Sequence, residues 1–304
     1  HEQSLNFNTH LGLDFALNPS LNLRFFGSYS YTSLENASYY PTWVWAQGQA
    51  FRGEHKSEEW LGNVTLDYHH QWDMHEVNAT AMTEYQKSQR TGFWTTVKGF
   101  TTNDIGYNNL AAGSTRPYGG TGSEYSDPSL ASVMGSVSYT LLKRYTLDMN
   151  LRADGSSLFG KNNKWGFFPS VSGTWVISQE PFFKPLNKVI NLWKLRTGYG
   201  QSGNQGGIDS YNSMALLRPT GVISVQGSPT TTFGQFRNTN PDLKWETRST
   251  FNIGTDIALL NSRIVLTAEY YYSLTTDMLY QYDVPVPPFT FNKFLANLGK
   301  MSNS

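Results

Sequence analysis

The sequence predicts an all-β protein whose strands form an antiparallel transmembrane β-barrel. Three observations carry that prediction. Apolar residues recur at every second position, the alternating segments are longer than strands of water-soluble domains, and the connections between them alternate between short and long.

The first segment shows the pattern most plainly. Odd positions read Leu5, Phe7, Thr9, Leu11, Leu13, Phe15 and Leu17, while Asn6, Asn8, His10, Gly12 and Asp14 fill the even ones. Successive strand side chains point to opposite faces, so this segment has one apolar face and one wet face. After Asn18-Pro19-Ser20 the alternation resumes with Leu21, Leu23, Phe25, Gly27, Tyr29 and Tyr31. It continues with Trp60, Val64, Leu66 and Tyr68, then with Val77, Ala79, Ala81 and Tyr85. Val133, Val137, Tyr139 and Leu141 precede Tyr145, Leu147, Met149, Leu151 and Ala153. Trp193, Leu195 and Tyr199 form another such run. Phe251, Ile253 and Ile257 then lead to Ile264, Leu266, Ala268, Tyr270 and Tyr272. The pattern predicts about ten or eleven strands and no amphipathic helix of four turns.

Strands of globular proteins centre on about 5–6 residues, whereas these run to about 10–14. A membrane-crossing strand needs about 9–11. Short turns are expected at Asn18–Ser20, His70–Asp73, Leu142–Arg144 and Leu260–Ser262. Long loops are expected over Thr32–Ser57, Lys87–Ser129 and Ser202–Lys244. Short turns on one side and long loops on the other follow the plan of outer-membrane barrels. Tyr29, Tyr31, Tyr139, Tyr199, Tyr270 and Tyr272 lie near strand ends on the apolar face, where amphipathic rings suit the headgroup boundary.

Composition narrows the function. The chain has 23 basic and 23 acidic residues, so no basic field is available to attract nucleic acid. Cysteine is absent, which removes disulfides, thiolate metal ligands and thiol catalysis. No run approaches about 18 consecutive apolar residues, so no transmembrane helix is expected. Alternating strands cancel in any hydropathy window, and the mean hydropathy of −0.45 leaves a barrel open.

Two glycine motifs invite a nucleotide-binding reading and fail it on context. Gly155–Asn162, GSSLFGKN, spells G-x-x-x-x-G-K, but Asn162 stands where a phosphate loop needs Ser or Thr. The following residues lead to another strand and not to the helix whose N-terminus would bind phosphate. Gly198, Gly200 and Gly203 spell G-x-G-x-x-G, yet Asn204-Gln205-Gly206-Gly207 opens no helix either. The first motif reads as turn chemistry and the second as tight loop geometry at a strand end. His69 and His70 are adjacent on a strand and face opposite ways, which argues against a zinc site with His75 or His10. Carboxylate pairs such as Asp148/Asp154 and Glu58/Glu59 read as scattered wet-face residues and not as a glycosidase pair. No cofactor, metal or catalytic group is expected, and the chain does not read as an enzyme.

Three ordered blocks carry a family resemblance. They are LRADGSSLFGKNNKWGFFPSVSGTWVISQEPFF (Leu151–Phe183), WKLRTGYGQSGNQ (Trp193–Gln205) and NPDLKWETRSTFNIGTDIALLNSRIVLTAEYYYSLTTDML (Asn240–Leu279). Together they resemble SusC/RagA-type TonB-dependent outer-membrane transporters of Bacteroidetes. The resemblance implies a barrel of roughly 22 strands occluded by an N-terminal plug. It also implies a SusD-like surface lipoprotein at the extracellular mouth and energy from TonB acting on an N-terminal box. On that reading residues 1–304 are part of the barrel, with plug and TonB box outside this sequence. The cargo would be an oligomeric nutrient, glycan in preference to peptide.

Candidate cargo contacts are Tyr39, Tyr40, Trp43 and Trp45, then Phe93 and Trp94, because flat rings stack on sugars beside Asn, Gln and Thr. Packing of the loops on one another, or against a lipoprotein, is the alternative role of the same rings. Arg24, Asp148, Arg152 and Arg196 are expected to face the lumen from the wet faces. The competing readings are a soluble β-rich carbohydrate-binding protein and a passive porin closed by these strands alone.

Overall fold

A computed structural model describes residues 1–235 and 237–304. Its twelve-stranded main sheet holds β1 (Glu2–Asn18), β2 (Leu21–Tyr40), β3 (Gln49–Trp72), β4 (His75–Lys98), β5 (Thr121–Ser126), β6 (Ser129–Leu141), β7 (Tyr145–Ser156), β8 (Trp165–Val176), β9 (Ile190–Asn204), β12 (Glu246–Leu259), β13 (Ile264–Thr276) and β16 (Lys300–Asn303). The order is β1-β2-β3-β4-β6-β7-β8-β9-β12-β13-β16, with β5 added to β4. Two separate hairpins pair β10 (Leu217–Val225) with β11 (Ser228–Gln235) and β14 (Leu279–Asp283) with β15 (Lys293–Asn297). Sequential strands are spatial neighbours wherever a short turn joins them, as in a meander. Helical structure among the described residues is confined to short 3-10 turns.

The residues group into two compact units. One holds His1–Leu13, Phe25–Asn63 and Tyr85–Ser129; the other holds Asp14–Arg24, Val64–Glu84 and Leu130–Ser304. In the first, Ala50, Val97 and Phe100 form a buried cluster against which Tyr39, Tyr107 and Leu110 pack. In the second, the buried cluster is Phe159, Phe168, Ile208, Leu243 and Trp245.

Register in the second unit explains the alternation. Val137 faces Met149, which faces Val171, then Tyr199, Phe251 and Tyr272, one apolar row across six strands. Every one of these six side chains is 39–46% exposed. One step along, Ser138, Asp148, Ser172, Gly198, Asn252 and Tyr271 form the row on the opposite face. Its first five members are less exposed than the apolar row. A sheet that shows its greasy face and shelters its polar one is inside-out for water, where exposed apolar area costs about 25 cal/mol per Å². Hydrocarbon removes that cost, as it does around an outer-membrane barrel.

The structure corrects several sequence-based boundaries. The turn expected over His70–Asp73 narrows to Asp73-Met74, because β3 continues through Trp72. The loop expected over Thr32–Ser57 shrinks to residues 41–48, since β2 and β3 reach 20 and 24 residues. Residues Lys87–Ser129 contain the end of β4 and all of β5, and Ser202–Lys244 contains the β10–β11 hairpin. Beyond the lipid both faces of a strand meet water or protein, so alternation stops while the ladder of hydrogen bonds continues.

The glycine motif Gly198–Gly203 is also corrected: it lies inside β9 and forms no turn. A Cβ on Gly203 would collide with the ring of Phe168, and one on Gly200 would sit 3.0 Å from Ser170 Cβ. These glycines make room for side chains of the adjacent strand β8. Gly160 of the phosphate-loop lookalike is excluded from larger residues by the carbonyl of Pro241. Phe159 beside it packs at a tilt 4.7 Å from Trp245, whose Nε1 donates to Lys164 O at 3.0 Å. That loop is a packed strand connection.

Candidate functional site

The first unit contains all six candidate ring residues. Tyr39 and Tyr40 end β2, and Trp43 and Trp45 lie in the 41–48 connection. Phe93 and Trp94 sit inside β4, so strand alternation sends them to opposite faces. Tyr39 is held inside the loops. Its hydroxyl donates to Asn103 Oδ1 at 2.8 Å, and its ring meets Phe100 edge-on at 5.4 Å. Asn103 also donates to Thr42 Oγ1 at 3.0 Å and accepts from Thr42 N at 3.0 Å. Tyr39 therefore ties the 41–48 connection to residues 100–103.

The tie leaves the other rings of that connection outward. Trp43 is 77% exposed and Trp45 51%, with Tyr40 against Trp45 at 6.2 Å. Lys98 Nζ stands 5.7 Å from the Trp45 ring, a cation–π contact that steadies the indole. The result is a wet aromatic platform on a fixed loop. Trp94 belongs to a different group: its ring is stacked 6.5 Å from His55, and His55 Nδ1 is 3.0 Å from Glu124 Oε1. Gly92 and Gly122 open the space, since a Cβ on Gly92 would lie 2.6 Å from His55 Nδ1 and one on Gly122 would strike Trp94. Phe93 is exposed on the other face of β4. Lys98, His55 and Glu124 escaped the sequence reading because their partners lie far along the chain.

The second unit places Arg24, Asp148, Arg152 and Arg196 on polar positions of the sheet. Each is matched locally. Arg24 Nε donates to Asp14 Oδ1 at 2.7 Å, with Asp67 3.8 Å away. Arg152 Nε donates to both oxygens of Asp154 at 2.8 Å and its Nη2 to Ser132 Oγ at 3.0 Å, with Glu84 at 3.8 Å. Arg196 grips Asp256 through Nε at 2.9 Å and Nη2 at 3.3 Å, and Thr267 donates to the same carboxylate. Asp148 accepts from Ser172 Oγ at 3.1 Å. Paired guanidinium and carboxylate groups give a hydrophilic wall with little net field. Among the described residues, no cluster of three or more His, Asp or Glu side chains could hold a metal ion.

Comparison with known proteins settles the family. The model of the TonB dependent receptor-like β-barrel matches residues 1–304. The chain belongs to that family. It is 33% identical over 248 residues to TonB-dependent receptor P3 of Formosa agariphila, covering 80% of this chain and 24% of that protein. With TonB-dependent receptor SusC of Bacteroides thetaiotaomicron it shares 35% identity over 176 residues, 57% of this chain and 17% of SusC. In fold it matches a structure of the RagAB peptide importer in the closed-closed state, at TM-score 0.87 and 23% identity over 99% of this chain and 33% of that one. The chain spans a quarter or less of the curated relatives named here. A SusC-like TonB-dependent receptor barrel is an outer-membrane structure, which is where the exposed apolar rows find lipid. Two of the three blocks that carried the resemblance meet in the fold: Phe159 and Phe168 come from the first, and Leu243 and Trp245 from the third, in one buried cluster.

Proposed function

We propose that the protein containing this barrel imports an oligomeric nutrient across the outer membrane, an oligosaccharide in preference to a peptide, without chemically altering it. It works with a SusD-like surface lipoprotein over the long loops and is energised by TonB through a segment outside residues 1–304. The observation that carries the choice of cargo is the platform of Tyr40, Trp43 and Trp45, rings held open to water beside Lys98. Exposed indoles cost free energy unless a ligand covers them, and a sugar ring offers the flat C–H face that an indole stacks on. The polar wall supports the same reading. Arg24, Asp148, Arg152 and Arg196 line the lumen, and the ion pairs of the three arginines leave a surface suited to an uncharged, hydroxyl-rich solute. Trp94, with His55 and Glu124, supplies a second contact, and Phe93, exposed on the other face of β4, is the remaining ring of the set.

The test is calorimetric titration of the full-length transporter with neutral oligosaccharides and with oligopeptides of matched size. Wild type is expected to bind an oligosaccharide, and Trp43→Ala with Trp45→Ala to weaken it about thirtyfold, from roughly 1 kcal/mol per lost ring contact. Binding of peptides alone, or a double variant that binds sugar as wild type does, overturns the reading.

A further inference from the structure

The apolar face of the first unit is not a uniform lipid contact. A groove of about 410 Å³ runs along it, lined among others by Leu11, Gly27, Tyr29, Trp60, Gly62 and Tyr85. Gly27 and Gly62 interrupt their apolar rows at adjacent points of β2 and β3, with Gly27 nearest Leu61 O and Gly62 nearest Phe26 O. Backbone therefore floors the groove, and rings wall it. Tyr29 contacts Phe7 at 6.5 Å and Trp60 at 5.6 Å, and Leu11 and Tyr85 are more than half exposed to the surroundings.

At the end of the groove nearer the 41–48 connection, the same face turns ionic. Glu58, Lys56, Glu54 and Arg52 follow Trp60 at alternate positions of β3, and Ser33 and Glu35 follow Tyr29 and Tyr31 on β2. Tyr29 Oη donates to Glu58 Oε2 at 3.3 Å, joining the groove wall to the first rung. Lys56 Nζ lies 3.0 Å from Glu54 Oε1, which also accepts from Ser33 Oγ at 3.2 Å. Arg52 donates to Glu35 Oε1 from Nε at 2.9 Å and Nη2 at 2.6 Å. Arg52 and Lys56 remain 47% and 41% exposed and keep donors beyond those their carboxylates use.

An apolar groove that ends in a ladder of donors and acceptors, on the face that meets lipid, has the chemistry of a lipid site. We propose that it holds one molecule of the phosphorylated glycolipid of the outer leaflet. An acyl chain lies over Gly27 and Gly62 between the rings, and a headgroup phosphate is bound by Lys56 and Arg52. The six steps from Glu58 to Arg52 extend about 20 Å along β3, longer than one phosphate requires. Glu58, Glu54 and Glu35 along that length accept from sugar hydroxyls, which a glycerophospholipid headgroup lacks in that number. The choice of glycolipid follows from this mixture of cations and carboxylates.

The experiment uses the full-length transporter purified from outer membranes in mild detergent, with native mass spectrometry of retained lipid. Wild type is expected to keep one phosphorylated glycolipid. Gly27→Leu with Gly62→Leu fills the groove where each new Cβ has ordinary contact distances, and is expected to retain about tenfold less, as is Arg52→Ala with Lys56→Ala. A second readout isolates one ring: diphosphoryl lipid A carrying a nitroxide on an acyl chain quenches the tryptophan fluorescence that Trp60→Phe removes from detergent-solubilised wild type, and phosphatidylethanolamine with the same label does not. Equal retention by all three proteins, equal quenching by both lipids, or no glycolipid on wild type overturns the proposal. None of these readouts depends on the imported nutrient.

Discussion

Two rows of side chains one step apart along β6 to β13 live under opposite rules. Val137, Met149, Val171, Tyr199, Phe251 and Tyr272 are apolar and open to the surroundings, whereas Ser138, Asp148, Ser172 and Asn252 are polar and half sheltered. A water-soluble sandwich buries the first kind and shows the second. The inversion shows that the outer solvent of this sheet is hydrocarbon, and that polar groups belong where protein or trapped water can satisfy them. The polar face is not wet along its whole length either. Toward the long connections it is capped by Phe168 and Trp245, whose rings meet edge-on at 5.6 Å.

That cap is where the comparison breaks most sharply. Phe168 lies on the polar face by its register with Arg152, yet it is 6% exposed over Gly166 and Gly203. Phe168→Ala is expected to cost about 3–5 kcal/mol, the usual range for removing a buried ring that its neighbours cannot replace. Urea unfolding of the barrel in detergent measures it. A loss below about 1 kcal/mol would mean that the cluster closes over the gap.

A charge walked across the sheet tests the two faces directly. Val171→Arg puts a guanidinium on the lipid face and is expected to destabilise by about 2–4 kcal/mol if the position lies near the bilayer midplane. Ser172→Arg, one residue on, lands beside Asp148 on the polar face and is expected to change stability by less than about 1 kcal/mol. Folding yields into lipid vesicles, compared for the pair, give the difference. Equal effects would mean that both faces meet the same solvent.

What was legible in the sequence follows from the same physics. Lipid on one side and polar groups on the other force a strict period of two, so the rows through Leu147, Met149 and Leu151 could be read residue by residue. Beyond the lipid that constraint disappears. Glu54 and Lys56 occupy the same strand face as Trp60, and β2, β3 and β4 therefore looked shorter than they are. The glycines at 200 and 203 looked like a loop because their reason lies on β8, in the Cβ of Ser170 and the ring of Phe168. Among the candidate contacts, Trp43 and Trp45 are outward, but Tyr39 is claimed by Phe100 and Asn103, a contact about 60 residues away that no local pattern announces. The four wet-face charges were visible as types; their partners, such as Asp256 for Arg196, required the register.

The smallest expected effect lies where both faces end, in the connection from β8 to β9. There Glu180 is buried and accepts from Tyr145 Oη at 2.5 Å and Trp175 Nε1 at 3.0 Å, with Arg144 Nη1 at 3.4 Å. The Tyr145 hydrogen bond, then that of Trp175, and the charge of Arg144 hold this carboxyl below its ordinary value of 4.5, against the opposite pull of burial. A carboxylate lowered by folding adds stability that is present in full above its unfolded value and is lost as pH falls through the folded one. Hydrogen exchange of residues 177–189 should therefore be slow and pH-independent, after correction for intrinsic rates, from neutrality down to about 4.5, and protection should fall only on further acidification. Glu180→Gln keeps an acceptor but loses the charge, so its protection should be lower at neutral pH and flat through the acid range. If the variant keeps the wild-type acid step, another carboxylate carries it, and the short-turn end of the sheet is held by packing of Tyr145 on Trp175 and not by the ionised Glu180.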